Sequence, residues 1–351
     1  MQHFRLSIIV TVVLLGLAGW WGYMHGGVPG LLGALWIAAV LGVLEVSLSF
    51  DNAVVNATVL RGWNAFWQRL FLTVGIVVAV FGMRLVFPLA IVAVATGLGL
   101  VDVWHMAVAT PDIYARHLAA RHAEVAVFGG AFLLLVFLNF LFDGDKQLHW
   151  LGKIEEKVGK YGTEGLAVLL TLLAAFGAMN LVGPADQLPV LIAGVVGVAV
   201  YVGVDWISGL LEEEEHDPAI GQIISRGSIG GFLYLEVLDA SFSFDGVIGA
   251  FAISNDVVII MLGLAIGAMF VRSLTVFLVR RGTLDQFVFL EHGAHYAIGI
   301  LALIMFLSVE YEIPEWFTGL SGVVFILVSL WSSIRYRKRM ARADEGKPEL
   351  A

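Results

Sequence analysis

Apolar segments long enough to cross a bilayer recur ten times along this chain, over residues 5–23, 31–60, 67–100, 124–142, 164–182, 188–211, 229–252, 256–279, 294–310 and 316–334. A spanning helix needs about 20 such residues, and only helices or closed barrels satisfy their backbone polar groups inside lipid. The expected fold is therefore all-α and polytopic, with about ten transmembrane helices. Composition agrees: 59% of the 351 residues are hydrophobic and 14% are charged. Soluble domains carry about 25% charged residues. A first span ending Leu17-Ala18-Gly19-Trp20-Trp21 makes a poor signal-peptidase site, so it is expected to stay uncleaved. The third segment carries Arg84, Pro88, Gly97 and Gly99, which predict a kinked helix followed by a re-entrant or surface piece. That piece would make the span count eleven.

The remaining composition excludes several functions. There is no cysteine, hence no disulfide, zinc–thiolate or iron–sulfur chemistry. A net charge of −9 without a broad basic surface argues against nucleic acid as a partner. No Gly-Lys-Ser/Thr phosphate loop is present, and no resident cofactor is expected. The basic run Arg335-Tyr336-Arg337-Lys338-Arg339 directly follows the last span and sets orientation by the positive-inside rule. Both termini are expected in the cytoplasm, as in a bacterial-type inner membrane. Only 101–123, with Arg116 and Arg121, conflicts with that orientation. The expected units are a first helix and outer loop (1–29), a first half (30–187) containing the cytoplasmic loop 143–163, a second half (188–335), and a basic then polar tail (336–351). The loops 143–163 and 211–228 read as solvated connections.

Two stretches match in register. Glu45-Val46-Ser47-Leu48-Ser49-Phe50-Asp51 and Asp239-Ala240-Ser241-Phe242-Ser243-Phe244-Asp245 both read acid-x-Ser-x-Ser-Phe-Asp. Each position of the second lies 194 residues after its counterpart. More weakly, nine residues separate Gly75 from Arg84, and nine separate Gly263 from Arg272. The copies fall in the second and seventh spans, which cross in opposite directions. That is the plan of an inverted-repeat transporter.

Acids at bilayer depth are costly, at least about 2.5–3.5 kcal/mol each on insertion scales, and are functional candidates by default. The candidate metal ligands are Glu45, Asp51, Asn52, Glu236, Asp239 and Asp245. Ser47, Ser49, Ser241 and Ser243 are secondary ligands, and Arg84 and Arg272 are gate or counter-charge residues. Acids six apart on an ideal helix point about 120° away from each other. Ser and Asp compete with the backbone for hydrogen bonds, so broken helices are expected at both motifs, with Asp51-Asn52 and Asp245-Gly246 starting the second halves. Freed carbonyls, hydroxyls and carboxylates form an all-oxygen site of the kind that suits Mg²⁺, Ca²⁺ or Mn²⁺.

The segment Glu45-Val46-Ser47-Leu48-Ser49-Phe50-Asp51-Asn52-Ala53 resembles the signature of TerC-type membrane proteins, named for tellurium resistance. The chain is most similar to the longer branch of that family, described as a domain of unknown function, within the LysE-like exporter superfamily. The resemblance spans roughly residues 30–335. It implies efflux of a divalent metal, manganese above all, with Glu45, Asp51, Asp239 and Asp245 as the motif acids. The expected function is thus a non-enzymatic transporter driven by an ion or proton gradient, with the bilayer and a metal ion as partners. The alternatives are an intramembrane aspartyl hydrolase and a non-transporting scaffold of a tellurite or metal stress complex.

Overall fold

A computed structural model of the chain describes residues 4–210, 229–280 and 287–345, apart from a few side chains within them. Among these residues every regular element is helical. In order they are α1 (Arg5–Leu48), α2 (Phe50–Arg61), α3 (Ala65–Val77), a π-helical stretch (Val78–Val86), α4 (Phe87–Thr96), α5 (Leu100–Ala109), α6 (Pro111–Ala119), α7 (His122–Phe142), α8 (Lys153–Tyr161), α9 (Glu164–Met179), α10 (Gln187–Leu210), α11 (Ile229–Ile253), α12 (Val257–Arg280), α13 (Leu290–Leu307) and α14 (Glu315–Glu345). The acidic connection 211–228 lies outside the described residues.

Seven of the described helical stretches are long and apolar enough to span a membrane, eight if α8 and α9, bent 98° to each other, count as one. Two features reconcile this with the ten apolar segments. First, α1 is a hairpin of two limbs. Gly27 leaves helical geometry at φ 60°, ψ −145°, a region open to glycine. Beyond it the chain folds back, so that a Cβ on Gly22 would stand 2.6 Å from the Cβ of Ala34. In a straight helix those residues would be about 18 Å apart. Second, α11 runs 25 residues but carries Glu236, Asp239 and Asp245. Its polarity lies in the repeated motif, not in a loop.

The two ends of the bundle are distinct. The Gly27 turn, the 97–121 segment and the 254–256 and 308–314 connections share one end, called here the rim end. Trp21 Nε1 donates to Asp256 Oδ2 across it at 2.9 Å. Asp256 Oδ1 caps α12 by accepting from the N–H of Val258 and of Ile259 at 2.9 and 3.1 Å. The basic end carries Arg61, Arg69, Lys146, Arg280 and Arg335. Segment 101–123 folds as two short helices, α5 and α6, the first of which follows the kinked third segment. Its Arg121 is neutralised by Glu124 at 2.6 Å.

Helix α12 sits at the centre and is buried along most of its length. Its most extensive partner is α1, whose second limb runs parallel to it: Leu41 meets Gly263, and Glu45 meets Gly267. Helices α7 and α13 form the other buried pair. The outward faces of α1, α10 and α14 expose large apolar side chains such as Trp36, Val43, Trp206 and Trp331. A water-facing surface would not carry such continuous apolar faces; lipid explains them.

The 143–163 connection is not simply solvated. Helix α8 tucks Glu155 fully out of solvent, where Lys146 Nζ reaches it at 2.8 Å and the N–H of Leu151 donates at 3.1 Å. His292 Nε2 lies 3.4 Å from the same carboxylate. Burial alone raises the pKa of Glu155, but Lys146, the Leu151 amide and His292 together hold it below its usual 4.5. A depressed carboxylate stabilises the fold above its unfolded pKa, and that contribution disappears as pH falls through the lower folded value. Glu155→Gln should cost about 3 kcal/mol by stranding Lys146. Acid-induced loosening of 143–161, followed by amide hydrogen exchange below pH 4.5, should be present in wild type and flat in the variant. Equal pH profiles would refute this account.

Candidate functional site

The first motif closes the second limb of α1. That limb ends at Leu48, Ser49 departs from helical geometry at φ −100°, ψ 18°, and α2 begins at Phe50. The expected break is present here, but at Ser49 rather than at Asp51-Asn52, and no side chain caps α2. The Ser49 amide still reaches the Glu45 carbonyl at 2.9 Å, so the disruption is a single residue. The Ser49 hydroxyl donates to Glu45 Oε1 at 2.8 Å, while Ser47 bonds back to the Val43 carbonyl at 2.8 Å.

The second motif does not break. Helix α11 is continuous from Ile229 to Ile253, which corrects the expectation of two broken helices. The copies differ one position further on. Ser241 and its counterpart Ser47 both donate to the carbonyl one turn back, at 3.0 and 2.8 Å, which leaves the main-chain ladder intact. Ser49, by contrast, turns to the Glu45 carboxylate, and its counterpart Ser243 makes no hydrogen bond among the described residues.

The Arg84 guanidinium is fixed by an unusual piece of helix. Pro88 has no N–H, and its ring clashes with the carbonyl four residues earlier, that of Arg84. The helix widens into the π-helical stretch Val78–Val86 before resuming as α4. Pro88 and Arg84 signalled a kink; the π widening is how the chain makes it. Arg84 is buried, donates through Nη1 to the Ala79 carbonyl, and forms an ion pair through Nη2 with Glu45 Oε1.

Arg272, on α12, is held more loosely. It lies 3.8 Å from Glu236 Oε1, and its guanidinium sits 3.8 Å above the Phe71 ring. Both carboxylate oxygens of Glu236, both Nη atoms of Arg272 and the Ser243 hydroxyl are buried with no hydrogen-bond partner among the described residues. Asp239 accepts from Asn52 Nδ2.

These contacts reveal how the two copies meet. Asn52, of the first copy, touches Asp239, the leading acid of the second. Adding the repeat offset to 52 gives 246, and Gly246, of the second copy, lies against Glu45, the leading acid of the first: a Cβ there would stand 3.2 Å from Glu45 Oε2. The cross-contact is reciprocal, as a pseudo-twofold arrangement requires. Direction agrees. The second limb of α1 leaves the rim end, and α11 arrives there.

A cavity of about 390 Å³ reaches this place from the rim end. Glu45, Ser49, Phe242 and Gly246 line its deep part, and His122, Tyr311 and Glu312 its mouth. Towards the basic end lies an aromatic cluster, with Trp63 and Phe71 at 6.2 Å and Phe71 and Phe232 at 6.4 Å between ring centroids. Phe71 is fully buried.

The candidate residues thus divide. Glu45, Ser49 and Arg84 form one group; in a second, Asp239, held by Asn52, and Glu236 share the charge of Arg272. The side chains of Asp51 and Asp245 lie outside the described residues. Among those described, no three His, Asp or Glu residues are grouped closely enough to hold a metal ion. The motif offset puts Gly246 where the first copy has Asn52, so the missing amide is legible in the sequence; the Asn52–Asp239 contact is not.

The fold and site define a polytopic α-helical membrane protein with a duplicated, oppositely directed acid motif at its centre. By family, the chain belongs to the one described as "Protein of unknown function (DUF475)", which matches residues 50–340. It is 35% identical over 96 residues to the "Uncharacterized membrane protein YceF" of Bacillus subtilis (strain 168), a match covering 27% of this chain and 34% of that protein. The chain thus aligns with about a third of that relative's length. No solved structure matches.

Proposed function

We propose that this protein is a secondary transporter that exports a hard divalent cation of the manganese type, coupled to an ion or proton gradient. It would act without enzymatic chemistry, in an inner membrane with both termini cytoplasmic. The observation that carries the reading is Glu45, a buried carboxylate inside a membrane helix, at the foot of a cavity open to the rim end. The reciprocal contact of the two copies supports it, because inverted-repeat carriers place their site where the repeats meet. The resemblance of the first motif to TerC-type proteins supports the choice of metal.

In this reading the rim cavity is the outer half of the path, and the Trp63–Phe71–Phe232 cluster closes the inner half. Arg84 neutralises Glu45 when no cation is bound. A divalent ion competes for the same carboxylate, with Ser49 as a second oxygen ligand and the motif acids Asp51 and Asp245 adding charge. On the return step, protons replace the metal on these carboxylates.

The test is Mn²⁺ flux in proteoliposomes with a pH-sensitive dye in the lumen. Wild type should move Mn²⁺ with protons in the opposite sense, and Asp51→Asn and Asp245→Asn should each abolish both signals. Wild-type vesicles no leakier than empty ones to Mn²⁺, Ca²⁺ and Mg²⁺ would overturn the proposal.

A further inference from the structure

The two halves of the site obey one symmetry but are not chemically equal, and the inequality lies at a single pair of positions. Asn52 fills its place beside Asp239 with an amide and ties that carboxylate down. Its counterpart is Gly246, which brings no side chain to Glu45. The serines differ in the same sense: Ser49 bonds to Glu45, whereas the Ser243 hydroxyl has no partner among the described residues. The cavity follows this asymmetry, since Glu45, Ser49 and Gly246 all line it.

We propose that Gly246 determines where the cation binds: by leaving empty the space that an asparagine fills in the other half, it opens Glu45 and Ser49 to the cavity and makes that corner the ion site. Asp239 then serves as an anion fixed by Asn52 rather than as a first-contact ligand. This rests on the divalent-cation reading above. The geometry is specific. Arg84 and Ser49 both engage Oε1 of Glu45, and Gly246 flanks Oε2. An ion arriving through the cavity meets Oε2 without first displacing Arg84. At about 30 Å³ per water, a cavity of 390 Å³ holds on the order of ten waters, enough for the ion to arrive with part of its hydration shell. An asparagine at 246 would occupy that approach and donate to Glu45 as Asn52 donates to Asp239. Alanine would place its methyl 3.2 Å from Oε2, narrowing the approach without a donor.

The experiment measures Mn²⁺ binding to purified protein in nanodiscs, from loss of the free-ion electron paramagnetic resonance signal. It compares wild type, Gly246→Asn, Gly246→Ala and Asn52→Gly, with thermal unfolding as the folding control. Gly246→Asn should weaken Mn²⁺ binding at least tenfold and Gly246→Ala severalfold, and Asn52→Gly should weaken it less than Gly246→Asn does. Should Gly246→Asn fail to fold, the alanine variant decides, and unchanged affinity there overturns the assignment. Wild-type affinity in a folded Gly246→Asn protein overturns it too, as does an Asn52→Gly loss matching that of Gly246→Asn. Wild type that binds no Mn²⁺ overturns the cation reading itself, a result distinct from all of these.

Discussion

Replacing Arg84 with glutamine should destabilise the protein by about 3–5 kcal/mol, the usual cost of leaving a buried charge without its partner. Glu45 is almost fully buried, and Arg84 is its only charged partner among the described residues. The remaining contact, from the Ser49 hydroxyl, cannot balance a full charge. Glu45→Gln should cost a comparable amount by stranding the guanidinium. The double variant Glu45→Gln/Arg84→Gln should recover most of the loss, since two neutral amides leave no unpaired charge. Arg272→Gln is an internal comparison. Its partner Glu236 stands 3.8 Å away with no hydrogen bond between them, so the loss should be half that of Arg84→Gln or less. Thermal unfolding of wild type and the four variants in one detergent ranks them. Equal losses for the two arginines would contradict the tight and loose pairings described above.

Gly267→Val should separate α12 from the second limb of α1 and move Glu45 with it. Gly263 and Gly267 make a small-xxx-small face that lets two membrane helices approach closely. A Cβ at 267 would stand 2.6 Å from Glu45 Cγ and 2.7 Å from the Gly42 carbonyl. Backbone cannot step aside as a side chain can, so relief requires helix displacement. Overpacking of this kind costs about 1–3 kcal/mol. The expected signature is a lowered Tm together with impaired Mn²⁺ uptake in vesicles. Gly165→Val, at a helix position where a Cβ meets nothing within 4 Å, should leave both unchanged. Unaltered transport in a folded Gly267→Val protein would dissociate the packing of Glu45 from its role.

The sequence was informative where one physical effect dominates. Hydrophobicity alone made the polytopic helical class legible, and it separated residues 5–23 from 31–60 across the turn at Gly27. Two acids and two serines in register at a constant offset identified the repeat, because apolar composition does not generate them. Where competing effects were close, the reading failed. Ser47 and its counterpart Ser241 both bond back to their own helix, whereas Ser49 bonds to Glu45 and its counterpart Ser243 makes no hydrogen bond among the described residues; only the first helix breaks. That choice depends on tertiary surroundings: Arg84 draws Glu45 into place beside Ser49. The burial of Glu155 was equally illegible, since Lys153-Ile154-Glu155-Glu156-Lys157 reads as a solvated helix until His292 and Lys146 close over it. Of the four motif acids, Glu45 and Asp239 are described, the first paired with Arg84 and the second held by Asn52; the side chains of Asp51 and Asp245 lie outside the described residues.

The contrast between the single-residue irregularity at Ser49 and the unbroken α11 also has a mechanical meaning. One arm of the repeat carries a joint within its acid motif, and the other is a stiff rod. A jointed arm bends at its centre while its ends stay anchored; a rod only tilts as a whole and carries its acids along. In the proposed transport cycle the stroke would be lopsided, with bending concentrated in the first copy, one turn beyond the carboxylate at the cavity floor, and the second copy as the fulcrum.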